Sequence, residues 1–188
     1  TVSEITAAEC RELLDKPVDM VLPNGFEDDF VPKGATYTRK RKAARKRLLD
    51  IANALTGAGL DDDTIIISTS GRYEFRNKGI DVFIEMLNRL RHDSHLNRNL
   101  VAFIEVPGWV GSARQDLQER LARMKNGETF TAPLNNPRVT HWLHNPADDR
   151  VLNMMNSLGM HNCPEDRVKV IFVPCYLNGN DGIVDLHY

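Results

Sequence analysis

The residues best equipped for chemistry lie in one stretch, Ser68-Thr69-Ser70-Gly71-Arg72-Tyr73-Glu74-Phe75-Arg76-Asn77-Lys78-Gly79. Gly71 lets the backbone turn sharply. Arg72, one residue further, can offer a planar fork of N–H donors to a phosphate. Lys78 and Gly79 fall at the predicted start of the next helix, where free backbone N–H groups and the helix dipole favour an anion. Two cations converging on a helix N-terminus make a diphosphate clamp. The same spacing also allows a plain surface arrangement, in which Arg72 and Lys78 pair with Glu74 or Asp81. The stretch matches neither GxGxxG nor GxxxxGK[ST], which argues against an NAD enzyme and a P-loop ATPase.

Such a loop needs a strand before it and a helix after it. Thr64 to Thr69 is a β-branched apolar run suited to a buried parallel strand, and Ile80, Phe83, Ile84, Leu87 and Leu90 share one helical face. Two more apolar strands are predicted at Leu100–Val106 and Val168–Val173, each followed by proline. Upstream, Ser3 caps a helix over residues 3–15, and Val18 to Leu22 reads as a short strand ending in the turn Pro23-Asn24-Gly25. A second helix runs from about Thr36 to Leu55 with Ala44, Leu48, Ile51, Ala52 and Leu55 on its apolar stripe. Between the second and third strands, one helix is marked by Leu117, Leu121 and Met124 and another by Val151, Met154, Met155 and Leu158. Residues 126–146, rich in Asn and Pro, read as irregular. Strands alternating with helices, each strand apolar throughout, indicate an α/β fold with a parallel sheet and flanking helices. In such sheets ligands bind beyond the carboxyl ends of the strands, which is where this loop falls.

The 188 residues suffice for one domain with a sizeable core and are few for a two-domain enzyme. A net charge of −2 gives no whole-molecule field that draws nucleic acid or a membrane. No apolar run is long enough to span a bilayer, and no signal peptide opens the chain. Cys10, Cys163 and Cys175 are widely spaced and odd in number, which fits a reduced cytoplasmic setting better than a disulfide framework. The start at Thr1 and the stop at Leu186-His187-Tyr188 read as those of an excised piece. Of the remaining clusters, Arg39 to Arg47 could bind nucleic acid or another polyanion. It reads more simply as the solvated face of the second helix. His141, His144, His161 and Cys163 fit no zinc spacing and read as loop or surface residues. Trp109 and Trp142 read as core or domain-interface packing. Asp61-Asp62-Asp63 reads as a polar turn.

Gly71-Arg72-Tyr73-Glu74-Phe75 followed by Asn77-Lys78-Gly79 resembles the signature of the animal and fungal type of glycogen synthase. Thr1 to Ala7, Val21 to Gly25, Thr140-His141, Asn145 to Asp149 and Asp166 to Phe172 resemble further segments of that family, in its order, over nearly the whole chain. The resemblance implies a GT-B enzyme of two facing Rossmann-like domains. Residues 1–25 would be the end of the first domain with the interdomain link, and 26–188 part of the second. It implies retaining transfer of glucose from UDP-glucose or ADP-glucose to the non-reducing end of an α-1,4-glucan, with no cofactor and no metal. Arg72 and Lys78 would hold and stabilise the leaving diphosphate, with Gly71 and Gly79 beside them and Asn24 near the sugar. The glucan would be held by the domain this chain lacks. The family's pair of glutamates seven residues apart and its regulatory arginine-rich helix would also lie outside the chain, so the piece alone is expected to be inactive. The donor base, the oligomeric state and the regulation stay open.

Overall fold

The computed structural model describes residues 1–29 and 31–184; the Leu186-His187-Tyr188 end lies outside them. The chain divides into two compact units, Thr1–Arg39 and Lys40–Tyr188. In the first, α1 spans Glu4–Leu14, with the Ser3 hydroxyl accepting from Thr6 N at 3.2 Å as its N-cap. It ends where Asp15 takes a left-handed conformation. Residues 18–22 are not a strand. Leu22 N donates to Thr1 O at 2.7 Å and the Thr1 amino group to Met20 O at 3.1 Å, but two bonds to a chain end do not make a ladder.

Helix α2, Gly34–Thr56, contains the division between the units, and its buried residues, Leu49 to Thr56, belong to the second. That unit holds β1 (Ile65–Ser70), α3 (Ile80–Arg91), β2 (Leu100–Glu105), β3 (Val110–Ala113), α4 (Gln115–Lys125), β4 (His141–Leu143), α5 (Arg150–Ser157) and β5 (Val168–Val173). The sheet order is β1-β2-β5, all parallel, so β2 is central. Ser70, Glu105 and Val173 lie side by side in register, and the three strands therefore end flush at one carboxyl edge.

Alternation along the central strand builds two cores. Leu100, Ala102 and Ile104 pack with Ile80, Ile84 and Leu87 of α3 and Val151, Leu152 and Met155 of α5. Val101 and Phe103 pack with Ile51, Ala52 and Leu55 of α2 and Leu117 and Leu121 of α4. The result is an α/β/α sandwich, Rossmann-like in its parallel sheet and flanking helices.

The expected irregular stretch 126–146 contains β4, which pairs antiparallel with β3. Fully buried Arg114 holds this region. Its guanidinium donates to Asn135 O at 2.8 Å, Asn136 O at 2.7 Å and Val139 O at 3.2 Å, and forks onto the Asp116 carboxylate at 2.6 and 3.0 Å.

Candidate functional site

The loop leaving β1 is built in two steps. Gly71 has φ +140°, which a side chain would strain, and it turns the chain off the sheet edge. Glu74 to Lys78 then form a single helical turn, Lys78 N donating to Glu74 O at 2.9 Å. Gly79, at φ 65°, closes that turn: its N donates to Arg76 O at 3.0 Å and Ile80 N to Phe75 O at 3.0 Å, the paired bonds of a glycine C-cap. The same glycine is the N-cap of α3.

This double duty corrects one expectation. The first amides of α3 are not free for an anion, because Ile80 N and Asp81 N both donate to Phe75 O, and Val82 N donates to Asp81 Oδ1 at 2.9 Å. Among the described residues, the amides in this loop that make no hydrogen bond include those of Gly71, Arg72 and Tyr73, one turn earlier.

Burial sorts the loop's side chains. Tyr73 and Phe75 pack against the core beside α3 and α5, while Arg72, Arg76 and Lys78 are exposed. The Tyr73 ring meets Phe172 edge-on at 5.8 Å. Its hydroxyl donates to Asp149 Oδ2 at 2.8 Å and accepts from Val151 N at 3.0 Å. Asp149 in turn caps α5 through Leu152 N at 2.9 Å. Burial raises the pKa of the Tyr73 phenol and that of the Asp149 carboxyl, so the link is made at neutral pH with the phenol protonated. Tyr73 therefore ties the loop to the start of α5.

Arg72 is 77% exposed and its Nε meets Glu74 Oε1 at 3.1 Å, as the plain surface arrangement requires. That pair leaves the terminal nitrogens of Arg72 available. Asp81 does not pair with Lys78, and the Lys78 ammonium makes no hydrogen bond or ion pair among the described residues. Arg72 and Lys78 thus stand exposed on one anchored loop. Beside it, a cleft of about 450 Å³ is lined by Tyr73, Phe75, Trp109, Asn145, Asp148, Asp149 and Arg150, and not by Arg72 or Lys78. Asn24 is exposed and lies in the first unit.

At the same carboxyl edge, Glu105 ends β2 only 8% exposed, and its carboxylate has no hydrogen-bond partner among the described residues. Burial pushes its pKa up to about 7. Sequence reasoning passed over it, although a lone acid closing an apolar central strand is the available signal. His141 is also not a surface residue. It lies buried on β4, with Nε2 2.9 Å from Asp181 Oδ2 and Nδ1 2.8 Å from the Thr140 hydroxyl. Burial lowers its pKa against the opposing pull of Asp181. Burial, followed by the Asp181 and Glu105 carboxylates, pushes the Cys175 thiol up to about 12.

The tryptophans are not core residues. Trp109 is 71% exposed with its ring tilted against His144 at 5.3 Å, and Trp142 lies under the Arg114 guanidinium at 4.3 Å. The basic cluster is only partly solvated. Arg45 donates to Asp62 O at 2.7 Å and Thr64 O at 2.5 Å, and Arg47 donates to Ile183 O at 2.9 Å and to Gly182 O. Those bonds fix two of the cluster's side chains against the fold. No helix among the described residues is long and apolar enough to cross a membrane.

Known proteins agree with the loop's signature. Residues 1–129 match the glycogen synthase family model. The chain is 27% identical to glycogen [starch] synthase isoform 2 of Saccharomyces cerevisiae over 247 aligned positions, 30% to glycogen [starch] synthase of Caenorhabditis elegans over 240, and 25% to the liver glycogen [starch] synthase of Rattus norvegicus over 237. Each match covers 100% of this chain but only 34–36% of the relative, so the chain spans about a third of their length. With the family match covering more than half of the chain and running through β1, the loop after it, β2 and β3, this chain belongs to the glycogen synthase family.

Proposed function

We propose that this chain supplies the donor-diphosphate site of a retaining glucosyltransferase that extends an α-1,4-glucan from UDP-glucose or ADP-glucose. The observation that carries the reading is the anchored loop, with Arg72 and Lys78 exposed at the carboxyl edge of a parallel sheet. As the bond from glucose C1 to the diphosphate breaks, negative charge grows on the departing phosphate. Arg72 exchanges its exposed contact with Glu74 for phosphate oxygens, at little cost because solvent-screened pairs are weak. Lys78 adds a second charge. Both cations are in place before the reaction and stabilise the leaving group electrostatically, so no metal is needed at the diphosphate.

Gly71 and Gly79 let the backbone approach, and the amides of Gly71 to Tyr73 supply neutral donors. Asn24 is assigned to the donor sugar on the family resemblance alone. The substrate is a nucleotide sugar, the glucan is held by a domain this chain does not include, and the setting is cytoplasmic. Nucleic acid is not proposed as a partner, because a net charge of −2 gives no field that would draw it.

Equilibrium binding of UDP and of ADP tests the reading. Hydrogen bonds to a charged group contribute about 1.5–3 kcal/mol, so Arg72→Ala and Lys78→Ala should each weaken binding roughly tenfold to hundredfold. Unchanged affinity in both variants would contradict the assignment. The chain alone should make no glucan from either donor.

A further inference from the structure

His141, Cys175 and Asp181 bring a ring nitrogen, a thiol sulfur and a carboxylate oxygen within 4.8 Å of one another. They are used by nothing in the reading above. We infer that these three side chains form a site for a single zinc-like divalent cation, which staples the loop after β5 to strand β4.

Three observations converge. The first is the donor set: imidazole, thiolate and carboxylate together suit zinc, in a near-buried position where His141 is 4% and Asp181 16% exposed. The second is orientation. The Thr140 hydroxyl lies 2.8 Å from His141 Nδ1 and 3.5 Å from Phe172 O, so it can accept from the ring and donate to the carbonyl. That tautomer leaves Nε2 with a lone pair aimed at Asp181 Oδ2, which only a cation or a proton between them satisfies. Asp181 is itself fixed, since its Oδ1 accepts from Ile183 N at 2.7 Å and Val184 N at 3.1 Å.

The third is charge. The Asp181 carboxylate, 16% exposed, lies within 4.8 Å of the Cys175 sulfur. Among the described residues, no lysine or arginine bonds it. Buried charges are ordinarily paired or bound to metal. A divalent cation supplies the missing positive charge, and its binding releases the Cys175 proton to solvent.

Loading the chain with Co²⁺, and competing Zn²⁺ against a chromogenic chelator, tests the site. The expected result is one equivalent bound, with a thiolate-to-cobalt absorption band that Cys175→Ser abolishes and Cys10→Ser and Cys163→Ser leave intact. Thr140→Val should weaken Zn²⁺ about 10–100-fold, as loss of an orienting partner does. Because a variant can fail to fold, the unmodified chain gives a second reading: Zn²⁺ should slow alkylation of Cys175 and leave Cys10 and Cys163 unprotected. Absence of the band, a band that survives in Cys175→Ser, or unprotected Cys175 in saturating Zn²⁺ would each overturn the inference.

Discussion

Arg72 and Lys78 stand on the same loop but are held differently. Arg72 rests against Glu74, whereas Lys78 has no side-chain partner among the described residues. Glu74→Gln should therefore leave folding stability within about 0.5 kcal/mol, as exposed pairs contribute little, while changing nucleotide affinity only through Arg72. Chemical denaturation and a binding isotherm on the same protein read both. Tyr73 is the opposite case, its hydroxyl joining the Asp149 carboxylate and Val151 N. Tyr73→Phe leaves partly buried groups unpaired and should cost about 1–3 kcal/mol. The loss should appear as faster amide exchange in the loop and the first turn of α5. Glu105 gives a pH signature. Its carboxyl is raised to about 7 in the folded chain against 4.5 when unfolded. Its ionisation opposes folding, so stability is greatest below the unfolded value and falls as pH rises toward 7. The loss amounts to on the order of 3 kcal/mol from a shift of that size. In chelator-containing buffer, Glu105→Gln should flatten that slope, and an unaltered slope would show that another group carries it.

At the scale of elements, strands β1, β2 and β5 were legible from apolar runs such as Ile65-Ile66-Ile67 and Val168 to Val173. Strands β2 and β5 are buried throughout, whereas β1, expected to be buried, is an edge strand only partly covered, with Ser68 and Ser70 exposed. Helices α3 and α5 were legible from their spacing, while the Asp149 cap of α5 was not read from the sequence. The β3–β4 pair was not. It joins four residues containing Gly111 and Ser112 to three residues far along the chain, and buried Arg114 holds the segment before β4 by contacts that no local pattern encodes. The amides at Gly79 were misjudged for a related reason. Sequence marks a helix start there, but not that the glycine also closes the preceding turn. His141 was misread because its partner, Asp181, is forty residues away. Gly57 offers a stability test of one junction. It lies at φ 64°, and an added Cβ would come within 2.7 Å of Thr131 C and 2.8 Å of Ala132 backbone atoms. Gly57→Ala combines left-handed strain with overpacking and should cost about 2–4 kcal/mol, measured as a lower urea midpoint.

For the molecule as a whole, the parallel sheet places the Gly71–Gly79 loop, Glu105 and the end of β5 at one carboxyl edge, while the helices on both faces supply rigidity. That division of labour suits the proposed role of holding a leaving group still. The most direct test is residue-resolved NMR of the folded chain titrated with UDP and with ADP. The amides of Gly71, Arg72 and Tyr73 and the side-chain signals of Arg72 and Lys78 should shift saturably. Gly79 and Ile80, whose amides already donate to Arg76 and Phe75, should respond less. If both nucleotides reach saturating concentration and the loop from Gly71 to Lys78 stays unmoved, this chain does not hold the donor diphosphate.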